Sequence, residues 1–331
     1  MGHSEGELRT KVAPYSGADN RRAVIELALA FGGYLLVMMI AYFGLVNSQW
    51  FIYGVGSLAS ALFMVKIFTL QHDCGHGSLF SADWANTWFG RVCSLVTTMP
   101  FGAWKEEHDV HHGHVVDIDQ VSHGDIKLMT VEQYKQAPWR TRVVYQLLRH
   151  PVFHIVFAPF FYFFIKSKFP GIQNRKMWLS VVLTNLAVVI FYGGLVYWLG
   201  IWVMVFLFVP ASYLGGVIGL VLFYLQHDYP EAEWYTTDEW DHEHAALHGS
   251  SLIVLPQPLE WLTHAIGYHH IHHLNSKIPG YRLRECFESI PEMQTPTPLT
   301  WRDVVNSFKL KLWSHEKRAL VQFSEIAQLS R

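Results

Sequence analysis

The sequence predicts an all-α integral membrane protein, with four transmembrane helices in two hairpins and a cytosolic helical cap that carries a metal site. Three observations predict it. Of 331 residues, 51% are hydrophobic and only 16% are charged, whereas soluble domains run near about 25% charged. Four apolar stretches are each long enough to cross a bilayer as a helix. The chain also holds 20 histidines against 25 Lys and Arg, and those histidines are not spread evenly. Such apolar richness excludes a disordered tail protein. A net charge of −2 leaves no bulk basic field to attract nucleic acid.

The elements follow in order. The first 22 residues are polar and lack the basic, apolar and small-residue layout of a secretory signal. The stretch after them is expected to be a retained anchor. Leu27–Val46 has 20 residues and no charge. Trp50–Leu70 has 21 residues and one charge, Lys66, which is expected to snorkel toward the interface. Trp178–Leu199 (22 residues) and Ile201–Leu225 (25 residues) carry none. Trp50, Trp178, Tyr197, Trp198 and Trp202 stand near span ends, where amphipathic rings prefer to sit. The connections Asn47-Ser48-Gln49 and Gly200 are so short that each pair must be a hairpin.

This gives a cytosolic segment 1–26, a membrane-bound domain 27–290 and a cytosolic tail 291–331. Four Lys and Arg precede the first span, eleven lie between the hairpins, nine follow the last span, and none sits in the short turns. By the positive-inside rule both long segments face the cytosol. Two further apolar patches are ambiguous: 88–104 contains Arg91, and 152–165 is only 14 residues long. Both read as interfacial or re-entrant; if just one spans, the long segments fall on opposite sides. Cys74, Cys93 and Cys286 form no CxxC pair and fit reduced thiols rather than a disulfide scaffold.

No histidine lies inside the four spans. His72 and His76 (QHDCGH) follow the second span, and His227 (LQHDYP) follows the fourth. His108, His111 and His112 (HDVHH) and His269, His272 and His273 (HHIHH) form two further clusters. HxxxH and HxxHH place imidazoles on one helix face, one turn apart, where two ring nitrogens can reach one ion. His270 points elsewhere in that register. Nine imidazoles exceed what one ion takes, so two ions with four or five each is the natural count. Imidazole suits Fe, Cu, Zn and Ni alike. A single histidine of this kind is ordinarily a surface or hydrogen-bonded residue. Helical spacing in three clusters that abut spans also argues against a loop-like metal-trafficking tract.

These boxes resemble those of the membrane-bound fatty acid desaturases, particularly the bacterial acyl-lipid branch. HDCGHGSLF (72–80) is similar to the first histidine box. HDVHH, with GDIKLMTVEQY (124–134) after it, is similar to the second. FYLQH, ending at His227, and AALHGSSLIVLPQPLEWLTHAIGYHHIHHLNSKIPGYRL (245–283) resemble the last third. The resemblance runs from roughly 30 to 290. It implies that the nine histidines are ligands of a diiron centre that uses O2. In animal acyl-CoA relatives an Asn four residues before the last-span ligand holds a metal-bound water; here that position is Phe223. The second box continues as HHGH where bacterial relatives usually show HHA, and His114 reads as local.

Asp73 and Asp109 each neighbour a ligand, and a carboxylate there can fix the tautomer of a ligating His. Asp119 and Asp125 are weaker candidates, and Cys74 reads as a small packed residue. Trp104, Trp234, Trp261 and Tyr268 flank the boxes and could line an acyl tunnel, although core packing explains each as well. The expected reaction removes two hydrogens from an unactivated acyl chain, which no side chain can do unaided. No flavin, nucleotide or fused cytochrome b5 motif is present, so a ferredoxin, flavodoxin or cytochrome b5-type donor is implied. The expected setting is a bacterial inner membrane with the site facing the cytoplasm. The alternatives are a hydroxylase, an acetylenase, a terminal-alkene-forming fatty acid decarboxylase and a non-enzymatic metal carrier. A carotenoid hydroxylase or ketolase fits the HDCGHGS and LQHD stretches less well.

Overall fold

A computed structural model describes residues 6–120, 127–169 and 174–326. A short helix α1 (Glu7–Val12) precedes the first hairpin, formed by α2 (Asn20–Val46) and α3 (Trp50–His76). Asp19 caps α2 by accepting the Arg22 N–H at 3.0 Å. The two helices cross very closely. A Cβ on Gly44 would lie 2.4 Å from the Tyr53 backbone nitrogen, and one on Gly56 2.7 Å from that of Ala41. Glycine at these positions therefore sets the interhelix distance. α3 outruns its apolar stretch and stops only at Gly77, whose φ of 64° makes a left-handed cap. The first histidine box is thus the last part of a membrane-length helix.

Lys66 does not snorkel as expected. It is 0% exposed, and its ammonium lies 2.8 Å from Glu26 on α2. The partner stands across the hairpin at the same height, and the Trp261 ring covers the pair.

The apolar patch 88–104 is not one helix. It is shared between α4 (Asp83–Thr97) and α5 (Phe101–Gly113), which meet at a corner where Thr98 is left-handed and Pro100 follows. Cys93 and Phe101 are buried in the same cluster as Leu70 of α3. Strand β1 (Met129–Thr130), α6 (Val131–Gln136) and α7 (Trp139–Leu148) come next. The patch 152–165 is built from two π-helical turns, Phe153–Phe157 and Phe161–Ile165, around α8 (Ala158–Phe160). It bends 63° away from α7, and the two together pass as a fifth span only if this broken pair is counted as one.

The second hairpin is α9 (Arg175–Leu199) and α10 (Ile201–His227), joined through Gly200 at φ 84°. With α2 and α3 they are, among the described residues, the four helices long and apolar enough to cross a membrane. α10 packs on α3, and α5 on α9. The cap is completed by α11 (His242–His248), α12 (Gln257–Leu262), α13 (His269–Leu274), α14 (Gly280–Ser289) and α15 (Trp301–Ser307).

The fold is helical, with one small addition that the sequence reading lacked. Strands β2 (Leu312–Ser314) and β3 (Ala319–Val321) pair antiparallel, and β2 pairs parallel with β1. The stretch expected to be a tail is therefore folded against the segment after the second box. Leu312, Trp313 and Val321 are buried, and the Tyr145 hydroxyl donates to the Lys311 carbonyl. The N-terminal segment is likewise attached: Leu8 and Val12 pack into the cluster that contains Ile271 and Leu274 of α13.

Candidate metal centre

Four helices supply the nine histidines, all at one end of the bundle. α3 brings His72 and His76, α5 brings His108, His111 and His112, α10 brings His227, and α13 brings His269, His272 and His273. The structure divides them into two groups. His72, His76, His108, His112 and His272 form one; His111, His227, His269 and His273 form the other. Within each group one nitrogen per residue lies within 4.8 Å of all the others. Seven of the nine are buried, and His108 and His112 are partly so. HxxHH therefore splits on both helices, with neighbouring imidazoles serving different groups.

The contacts test whether a cation fits. His227 Nε2 lies 3.1 Å from both His111 Nε2 and His269 Nε2, and His269 Nε2 lies 3.0 Å from His273 Nε2. In the other group His112 Nε2 is 3.1 Å from both His108 Nε2 and His272 Nε2. Each imidazole nitrogen carries a single in-plane hydrogen or a single lone pair, and Nε2 of His227, His269 and His112 each face two partners, so no set of tautomers turns all these contacts into linear hydrogen bonds. Lone pairs converging on one cation do account for them. Two nitrogens about 2.1 Å from one ion and at right angles sit about 3.0 Å apart. Burial holds His269, His272 and His273 well below the usual imidazole range, so they keep those lone pairs. The His227 Nδ1–H donates to the Gly249 carbonyl at 2.9 Å, which leaves Nε2 as the inward atom. Buried His76 Nε2 has no hydrogen-bond partner among the described residues. The donor set fits two metal ions.

The flanking carboxylates differ. Asp73 is 2% exposed, and its Oδ1 lies 3.4 Å from His72 Nδ1. Asp109 does not orient a ligand as expected. It lies on the outer face of α5, about half exposed, and pairs with Lys105 one turn away. Asp119 serves a loop, accepting the Thr237 N–H at 3.1 Å. Asp125 lies outside the described residues. His114 is exposed beside Trp240 and joins neither group, and His270 turns away to the Met293 carbonyl. Cys74 is packed in the core.

One residue the sequence reading passed over is His264, whose Nε2 lies 3.0 Å from Asp73 Oδ2. Its signals were a histidine outside any box and a glycine, Gly280, against which it packs. A Cβ on Gly280 would lie 2.3 Å from the His264 ring.

An apolar cavity runs from the histidines into the bundle between α3, α10 and the turn at 161–165. Met64, Phe68, Phe163, Gly219 and Phe223 line it, and His72, His108, His111 and His269 close its end. Trp104 lines it too and stacks on His108 at 4.6 Å. A second cavity shares His111, Tyr162, Leu220 and Phe223 with the first. It is lined by Trp234, Lys127, Arg149 and Lys166. Trp261 and Tyr268 line neither; they pack against Glu26 and Glu260. Phe223 presents its ring, 5.2 Å from that of His111.

Comparison with known proteins shows the family. The family model described as "Fatty acid desaturase" matches residues 48–304. A Bacillus subtilis protein named "Fatty acid desaturase" is 30% identical over 331 residues, covering 99% of this chain and 94% of its own. An "sn-1 oleoyl-lipid 12-desaturase" of Picosynechococcus is 28% identical over 82% of this chain and 76% of its own. An "sn-1 acyl-lipid omega-3 desaturase (ferredoxin)" of Synechocystis is 27% identical, with shares of 80% and 73%. The matched span takes in every box, both cavities and all four membrane-length helices but the first, and the chain belongs to the fatty acid desaturase family.

Proposed function

We propose that this oxidoreductase inserts a double bond into a long acyl chain, lipid-linked or free, at two iron ions held by the nine imidazoles, with O2 as co-substrate. One observation carries the reading: two groups of converging histidine nitrogens close the end of an apolar cavity. The group of five would hold one ion and the group of four the other. Iron so placed supplies the O2 chemistry needed to strip hydrogen from an unactivated chain. The protein's own residues do the rest. Met64, Phe68 and Phe163 exclude water and hold the acyl tail extended. Trp104, stacked on His108, forms the wall where tail and histidines meet. The second cavity, with Lys127, Arg149 and Lys166, receives the polar end of the substrate. Tail depth in the first cavity then sets which carbons lie beside the histidines.

Electrons come from a separate donor of ferredoxin, flavodoxin or cytochrome b5 type; the name of the Synechocystis relative supports the first. We place the chain in a bacterial inner membrane with the histidine end facing the cytoplasm, because the Lys and Arg excess lies on that side. Residues 152–165 then lie in the interface, and 27–290 form the membrane-bound domain.

The test is expression in a bacterial host with gas chromatography and mass spectrometry of total lipids and volatiles. New unsaturated acyl chains, absent with His272→Ala, are expected. An unchanged lipid profile from a protein that holds two irons per chain would sink the acyl-chain reading and spare the diiron one. A volatile alkene would assign terminal-alkene formation instead.

A further inference from the structure

A buried line of hydrogen-bonding groups leads away from the metal centre into the first hairpin. It starts at His72, whose Nδ1 faces Asp73 Oδ1 at 3.4 Å. Asp73 Oδ2 receives two partners: the Gly280 N–H at 2.7 Å and His264 Nε2 at 3.0 Å. The other ring nitrogen of His264, Nδ1, lies 2.7 Å from the Lys66 ammonium. Lys66 lies 2.8 Å from Glu26 Oε2, which also accepts the Trp261 indole N–H at 3.1 Å. All four of Asp73, His264, Lys66 and Glu26 are under 9% exposed.

The donors and acceptors in this line admit one direction. An ammonium donates and never accepts. His264 Nδ1 must therefore accept from Lys66, which places the ring proton on Nε2 and points it at Asp73. With two donors on Oδ2, the Asp73 carboxylate is fixed, and Oδ1 is left to accept from His72 Nδ1–H. That fixes the His72 tautomer with its lone pair on Nε2. Glu26 closes the far end by balancing the Lys66 charge.

We propose that Lys66 and His264 are positioning residues for the five-histidine group: the buried Glu26–Lys66 pair sets the His264 tautomer, which through Asp73 sets that of His72. This rests on the reading that His72 holds one of the two ions. It assigns a membrane-embedded lysine a role in metal retention, although Lys66 itself belongs to neither histidine group.

The test is metal release from the purified full-length protein in detergent, followed with a ferrous chelator, beside iron content and thermal unfolding. The paired variant Lys66→Met with Glu26→Gln removes both charges together, so no lone charge is buried. Removing an outer partner of a ligating His typically weakens metal binding about 10- to 100-fold. One of the two irons is expected to leave faster by about that factor, while the other leaves at the wild-type rate. His264→Leu is expected to behave alike. His264→Gln keeps an N–H for Asp73 and is expected to restore slow release in part. Wild-type release of both irons from the folded paired variant would overturn the proposal. So would equal acceleration of both irons with a lowered unfolding temperature, which is what mere loss of packing produces. Failure of the diiron reading shows elsewhere, as a wild-type chain that holds fewer than two irons, and removes this proposal with it.

Discussion

Gly219 offers a direct way to alter which acyl chains are accepted. It lies on α10 one turn before Phe223, on the cavity wall, and a Cβ built there meets nothing within 4 Å. Gly219→Leu therefore starts its side chain in open space, on the wall of the cavity. The helix gains from the change, because Gly costs about 0.8–1 kcal/mol relative to Ala in a helix interior. What is lost is room for the tail. Each methylene that can no longer be buried forfeits about 0.8 kcal/mol. For two chains that differ by two methylenes, exclusion of both from the cavity amounts to about 1.6 kcal/mol, a shift of about 15-fold in relative kcat/KM toward the shorter chain. The assay is competition between two such acyl substrates, with product ratios read by gas chromatography. Gly216→Ala is the contrast. Its Cβ would lie 2.8 Å from the Phe163 ring, so it should lower stability rather than change chain preference. A folded, iron-replete Gly219→Leu protein with the wild-type product ratio would refute the placement of the tail in this cavity.

The two acids beside the boxes should separate cleanly. Asp73→Asn is expected to lower iron content and activity by at least about 10-fold, whereas Asp109→Asn, on an exposed surface pair, should change unfolding by under about 0.5 kcal/mol and leave iron content alone. Gly280→Ala drives a methyl into His264 and should cost about 1–3 kcal/mol, visible as a lower unfolding temperature. His270 gives a pH signature. Burial pulls its imidazole down to about 4, so below the ordinary value of 6.5 the unfolded chain takes up a proton that the folded one refuses. Its contribution is intact above about pH 6.5 and is lost as pH falls toward 4, at about 1.4 kcal/mol per pH unit. Melts between pH 7 and 5 should therefore be shallower in pH dependence for His270→Gln than for the wild type; identical slopes would contradict the assignment.

The helical spans and the nine histidines were legible because each is a local pattern: an unbroken apolar run, or imidazoles three and four apart. The partition into five and four was not. It depends on how α3, α5, α10 and α13 cross, and neighbours such as His272 and His273 end in different groups. Lys66 shows the limit of a local rule. A lone cation near a span end ordinarily reaches for the interface, but here an acid on the adjacent helix and an indole almost 200 residues away enclose it. Asp73 and Asp109 look alike in sequence, each one residue after a histidine. They part because the Asp73 side of α3 meets α14 and the loop at His264, while the Asp109 side of α5 meets solvent. The three-residue strands carry too short an alternation to be recognised, and β1 finds β2 only across some 180 residues.

α3 and α10 run without a break from their apolar stretches into His72, His76 and His227, while the remaining six histidines belong to α5 and α13. No loop separates the apolar stretches of α3 and α10 from these three imidazoles, although α10 carries Pro210 within it. A helix that tilts to match a thicker or thinner bilayer must carry three of the nine nitrogens with it. The tilt of these two helices and the spacing of the histidines within each group thus share one mechanical coordinate.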